Sequence, residues 1–151
     1  MTTVYQELKK FKKKYPLTVA WRLKNHADII EKHLNPGESV IYAFAGQKGT
    51  NYYDLFSTCA IALTTERILI GRSRVIAGYA LDSVMPYMFN DLNVRSGLFW
   101  GKICIDTAKE EVIVTKLDNL CLSEVETAIS ENMQRMKLKY IQAKKDKDSG
   151  E

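Results

Sequence analysis

From Ser39 onward the apolar residues of this chain stop recurring at helical spacing and begin to alternate. Val40, Tyr42 and Phe44 fall on one side of the segment and Ile41, Ala43 and Ala45 on the other, the period of two expected of an extended chain with two faces. The stretch "CAIALTTERILIGRS", residues 59 to 73, decides how such segments are joined. Its two apolar runs are rich in strand formers and too short for independent helices. One continuous helix would bury Glu66 or Arg67 beside Leu63 and Ile70, which is costly without partners. Thr64-Thr65-Glu66-Arg67 therefore predicts a tight reversal between two antiparallel strands, with the polar groups of the turn in water.

The same rhythm continues. "VIAGYALDSV" reads as a strand, "MPYMFNDLNVRS" as a bend at Pro86 leading into another, and "SGLF" as a Gly-bearing turn. "WGKICIDT" is a strand with Ile103 and Ile105 on one face, "AKEE" a turn, and "VIVTK" a final strand. Seven short strands at roughly ten-residue spacing, joined by brief turns, predict an antiparallel barrel or sandwich.

Helical spacing flanks this region. Val4, Tyr5, Leu8, Phe11 and Tyr15 form one apolar stripe over residues 2–15, with Lys9, Lys10, Lys12, Lys13 and Lys14 around it. Pro16 breaks that pattern, and Thr18 is the expected N-cap of a second helix reaching about Leu34, where "NPGE" stops it. After Asp118-Asn119, Ser123 and Glu126 have the spacing of a capping box. Val125, Ala128, Ile129, Met133, Met136 and Tyr140 then give a stripe on a helix reaching about Ala143, and the polar residues 144–151 are expected to be disordered.

"LNPGESVIYAF", the "TTERILI" hairpin, and "GLFWGKICIDT" followed by "EEVIVTKL" and a helix resemble, in that order, the bacterial PH-like (pleckstrin-homology superfold) domain family. The resemblance covers about residues 34–140. It implies an α+β fold: a seven-stranded antiparallel bent barrel with one end plugged by the C-terminal helix. It also implies a binding or scaffolding module with no catalytic activity. The expected division is a helical arm of two helices over 1–36, the barrel with its C-terminal helix over 37–143, and a tail over 144–151.

The remaining residues bound the chemistry. No apolar run approaches the ~18–20 residues needed to span a bilayer. The Lys-rich opening lacks an apolar signal core, and Cys59, Cys104 and Cys121 show no C-x-x-C spacing, so a cytoplasmic location with reduced thiols is expected. His26 and His33 lack a third ligand at metal-binding spacing, and Cys104 has no His or basic residue close in sequence. "GQKGT" lacks P-loop spacing. No catalytic residue, metal or cofactor is expected.

Net charge is +4, and its location matters more than its size. Residues 1–36 carry eight Lys/Arg against three Asp/Glu, whereas residues 37–122 carry eight against nine. Inositide head groups need several converging cations, and residues 46–55 supply Lys48 alone, opposed by Asp54. Nucleic-acid binding is not expected either, since one short Lys cluster gives only nonspecific attraction. Two candidate contact regions remain. One is the cluster Lys9, Lys10, Lys12, Lys13 and Lys14, whose helix has four possible roles: packing on the barrel or the second helix, binding a partner, joining copies of the chain, or lying on an anionic membrane. The other is a set of aromatics, Tyr52 and Tyr53 in one loop and Tyr87 and Phe89 in "MPYMF", able to dock a protein or to close the barrel end. The expected function is protein docking in an adaptor or regulatory role, with peripheral membrane association through the Lys-rich helix as the alternative.

Overall fold

The structure is a computed structural model that describes residues 2–49, 57–74 and 78–150. The alternating segments form β1 (Val40–Lys48), β2 (Thr58–Thr64), β3 (Ile68–Ser73), β4 (Tyr79–Val84), β5 (Phe89–Arg95), β6 (Gly101–Thr107) and β7 (Glu111–Leu117). They make one antiparallel sheet in the order β4-β3-β2-β1-β7-β6-β5. β4 and β5 are consecutive in the chain, joined through a 3-10 turn at Pro86–Met88, yet lie at opposite edges. The bent sheet is therefore an unclosed barrel.

Its inner face buries Phe44, Ile61, Ile70, Ile103, Ile105 and Val114 against Val125, Ile129, Met133 and Met136 of the C-terminal helix α3 (Leu122–Ser149). The alternation in the strands and the three-four stripe on α3 thus meet in one core. At the start of β1 a bulge between Val40 and Tyr42 breaks the alternation. Tyr42 and Phe44 pack on the inner core, while Val40 packs with the outer one.

The outer face of β1, β2 and β3 carries α1 (Val4–Lys14) and α2 (Leu23–Lys32). Ala43, Ala45, Ala60 and Ala62 point outward, and these small side chains let Val4, Leu8, Ala27 and Ile30 pack directly on the sheet. Gly71 extends that surface: a Cβ there would lie 2.7 Å from Ile30 Cγ1 and 3.0 Å from the His26 carbonyl oxygen. Farther along α1, Phe11 and Tyr15 enter the inner core, where the Phe11 ring stands 6.0 Å from Phe44. Among the described residues β1 pairs with β7 only at Gln47 and Lys48, so the first half of β1, paired with β2 on its other side, leaves this edge open beside them. Burying side chains of this size contributes about 1.5–3 kcal/mol each.

Four local expectations are corrected. The reversal at 64–67 forms, with the Thr64 N–H donating to the Arg67 carbonyl at 2.9 Å, but its polar groups are only partly in water: Thr65 is exposed, Glu66 and Arg67 are half-buried and Thr64 is buried. The chain leaving α2 covers it, and Arg67 Nε donates to the fully buried Glu38 side chain at 3.0 Å. Burial alone would raise the Glu38 carboxyl, but donation from Arg67, the Asn35 N–H and the Thr64 hydroxyl holds it below its usual value.

Thr18 does not cap α2. Its hydroxyl accepts the Asp118 N–H at 2.9 Å, and Val19 bonds the Lys116 carbonyl, so the α1–α2 linker runs along the end of β7. Arg22, in a left-handed conformation, precedes α2 instead.

The Ser123–Glu126 capping box is absent. Asp118 accepts the Leu120 N–H at 3.0 Å, within a 3-10 turn at Asn119–Cys121 that leads straight into α3. Helical bonding then continues to Ser149, past Ala143, through Lys-rich positions of good helix propensity and an i,i+4 bond from Gln142 to Asp146.

Candidate docking surface

Three connections meet beside the end of β7: the α1–α2 linker, the β5–β6 loop and the turn before α3. Asn119 ties two of them together, donating from Nδ2 to the Gly97 carbonyl at 2.9 Å and accepting the Gly97 N–H at Oδ1. Trp100 ties the third, its indole Nε1 donating to the Leu17 carbonyl at 2.9 Å. Gly101 permits the close approach, since a Cβ there would fall 2.5 Å from Leu122 Cδ1 and 2.9 Å from Asn119 Oδ1.

These bonds hold large apolar side chains in solvent. Leu98 is 88% exposed, Phe99 68%, Leu17 64% and Leu120 78%. A hollow of about 450 Å³ opens beside the β5–β6 tip, lined in part by Arg95, Phe99, Trp100, Lys102, Thr115 and Lys116. Exposed side chains of this kind gathered at one end of a domain mark interaction sites. The sequence signal was present in "SGLFWGK": three consecutive large apolar residues occupy a turn, where polar residues ordinarily sit.

The described residues among those singled out from sequence have other surroundings. The apolar stripe of α1 is buried in the chain's own cores, which removes it as a membrane-inserting or copy-joining face. Among its lysines, Lys9 stands 4.7 Å over the Tyr5 ring, Lys10 pairs with Glu7 at 3.2 Å, and Lys14 pairs with Glu124 at 2.5 Å. Lys12 donates to the Pro16 and Thr18 carbonyls, and burial lowers its pKa. Lys13 is exposed. Tyr52 and Tyr53 lie outside the described residues. Phe89 packs against the inner core under the Lys137 ammonium, 5.3 Å from the ring, so it helps close that end of the sheet. Tyr87 is exposed, beside Tyr140 at 5.8 Å. β5 separates Tyr87 and Phe89 from the Leu98–Phe99 tip by about 20 Å. Tyr87 and Phe89 therefore do not form one site with that tip.

The reactive side-chain types have structural surroundings. His26 is buried, with Nε2 3.0 Å from the Thr58 hydroxyl and Nδ1 accepting the Ser73 N–H at 2.9 Å. Burial, with Arg22 and Arg72 nearby, lowers its pKa to about 4. His33 contacts the Ile29 carbonyl and the Tyr79 hydroxyl. Burial pushes the Cys59 and Cys121 thiols up to about 12, and the Cys104 thiol is also raised. Among the described residues, no three of His, Cys, Asp and Glu converge as a metal site. Lys48 pairs with Asp82 at 2.7 Å. Among the described residues, no helix is long and apolar enough to cross a membrane.

No curated protein and no solved structure matches the chain. The family model for the bacterial PH domain matches residues 34–131, from the loop before β1 into α3. With seven antiparallel strands among the described residues, a helix packed on the inner face and most of the chain covered by that match, the protein belongs to the bacterial PH domain family.

Proposed function

We propose that the protein is a non-catalytic docking module whose recognition face is the end formed by Leu17, Leu98, Phe99 and Leu120. One observation carries this reading: bonds from Trp100 and Asn119 tie together the connections that present these apolar side chains to water, a cost to the isolated protein that a partner surface offsets. Preorganisation of this kind lowers the ordering entropy of association. The protein partner expected from sequence fits the same face, since the hollow beside the tip has room for a partner side chain. The alternative, membrane contact led by α1, has lost its apolar stripe to packing.

The test is partner-neutral. Full-length chain and the double variant Leu98→Ser/Phe99→Ser are expressed in the native host, and extracts are fractionated by size and by pelleting. The parent is expected in larger assemblies or the pellet, and the variant as a free 17.3 kDa chain. Identical fractionation of the two would refute the proposal.

A further inference from the structure

The walls of the hollow beside the tip narrow the partner that this face takes. Arg95 and Lys102, both exposed, stand directly opposite each other where β5 and β6 leave the tip. Like charges so placed repel across an antiparallel pair. Among the described residues neither is in an ion pair, and Lys116 joins them in a lining that holds no carboxylate. The carboxylates of this side of the sheet lie at its other end. Side chains alternate along β6, so Lys102, Cys104 and Asp106 share the outer face, and Asp106 is opposite Glu111 of β7. Four residues of strand put about 13 Å between Lys102 and Asp106. α1 and α2 pack on β1, β2 and β3, over the other half of the outer face.

We infer that the protein partner docks through a short acidic segment carrying a large apolar side chain. This rests on the docking reading above and names the chemistry of its partner. The apolar side chain lodges in the hollow against Phe99 and Trp100, and carboxylates flanking it are held by Arg95 and Lys102. A guanidinium grips a carboxylate through two parallel N–H donors, which gives Arg95 the orienting role. Binding also relieves the repulsion between the facing cations, so the pair that is unfavourable in the free protein stabilises the complex. Asp106 and Glu111 set the direction, because they repel the segment's carboxylates from the far end of the strip and favour a neutral or basic residue there. A protein segment suits these walls better than a flat charged surface, since the cations border a concave space that a side chain has to enter.

The test starts from peptides rather than from a known partner. A displayed library of random short peptides is panned on the immobilised full chain, and enriched peptides are synthesised and titrated by fluorescence anisotropy at low and high salt. Enriched sequences are expected to combine an aromatic residue or leucine with neighbouring Asp or Glu, and to bind less tightly as salt rises. Leu98→Ser/Phe99→Ser should weaken binding about a hundredfold or more, and Arg95→Gln/Lys102→Gln about tenfold. Arg95→Glu/Lys102→Glu should prefer the same peptide with its Asp and Glu replaced by Lys, a reversal that a folding defect does not produce. All four altered residues are solvent-exposed, and circular dichroism would verify that each variant folds. Failure to enrich acidic peptides, or binding that the cation variants leave unchanged, overturns the inference. Enrichment of neutral or basic peptides that depend on Leu98 and Phe99 also overturns it, yet leaves the docking reading standing. Peptide binding undiminished by the Leu98/Phe99 variant, together with identical fractionation in host extracts, removes both.

Discussion

His26 makes the stability of this protein depend on pH in a window that can be calculated. The ring is buried on the sheet's outer face and is neutral in the folded state, because Nδ1 accepts the Ser73 N–H and a proton there would face that donor. Its folded pKa is about 4, against 6.5 in the unfolded chain. Because the folded value is depressed, the unfolded chain takes up the proton first as pH falls. Stability is thus unaffected by this group above about 6.5, declines between 6.5 and 4, and falls no further below 4. At about 1.36 kcal/mol per pH unit the full loss is about 3 kcal/mol, a large fraction of a typical domain's 5–15 kcal/mol. The assay is urea unfolding of the parent and of His26→Asn at a series of pH values from neutral to 4.5. Asparagine retains an acceptor near Nδ1 but cannot titrate. The variant should be less stable at neutral pH, by about 1–3 kcal/mol, yet the two curves should converge by about 2 kcal/mol as pH falls. Glu38 and Glu124 titrate in both proteins and cancel in the comparison. Curves that stay parallel from neutral pH to 4.5 would refute the reasoning.

Other outcomes follow from the packing. Glu38→Ala leaves Arg67 without its buried partner and should cost about 3–5 kcal/mol, read as a lower urea midpoint. Gly71→Ala drives a methyl into Ile30 and the His26 carbonyl, and should cost about 1–3 kcal/mol in the same assay. Removal of residues 1–33 uncovers Ala43, Ala45, Ala60, Ala62 and Leu69, so the shortened chain should aggregate in light scattering where the full chain does not.

Much of the fold is readable because it rests on local rules. Alternation in 40–48, the polar interruption at 64–67 and the three-four spacing of Val125, Ile129, Met133 and Met136 each report which face of an element is buried. Cap identity was less readable. Thr18 and Ser123 have the right type for caps, but a hydroxyl has many possible donors, and Thr18 found the Asp118 N–H a hundred residues away. The proposed docking face reads in sequence only as a turn, because "SGLFW" carries no period, and exposure is a property of what fails to pack on a residue.

The sequence by itself determined the strands, the helices and the order in which they come, since each follows from side-chain periodicity and turn chemistry within a short window. Tertiary structure alone decided that the N-terminal helices lie on a floor of alanines. It also buried the Glu38–Arg67 pair and gathered Leu17, Leu98, Phe99 and Leu120 at one end. These outcomes depend on which distant segments meet, and that is set by the bending of the sheet and the close approach of backbones, which no local pattern encodes.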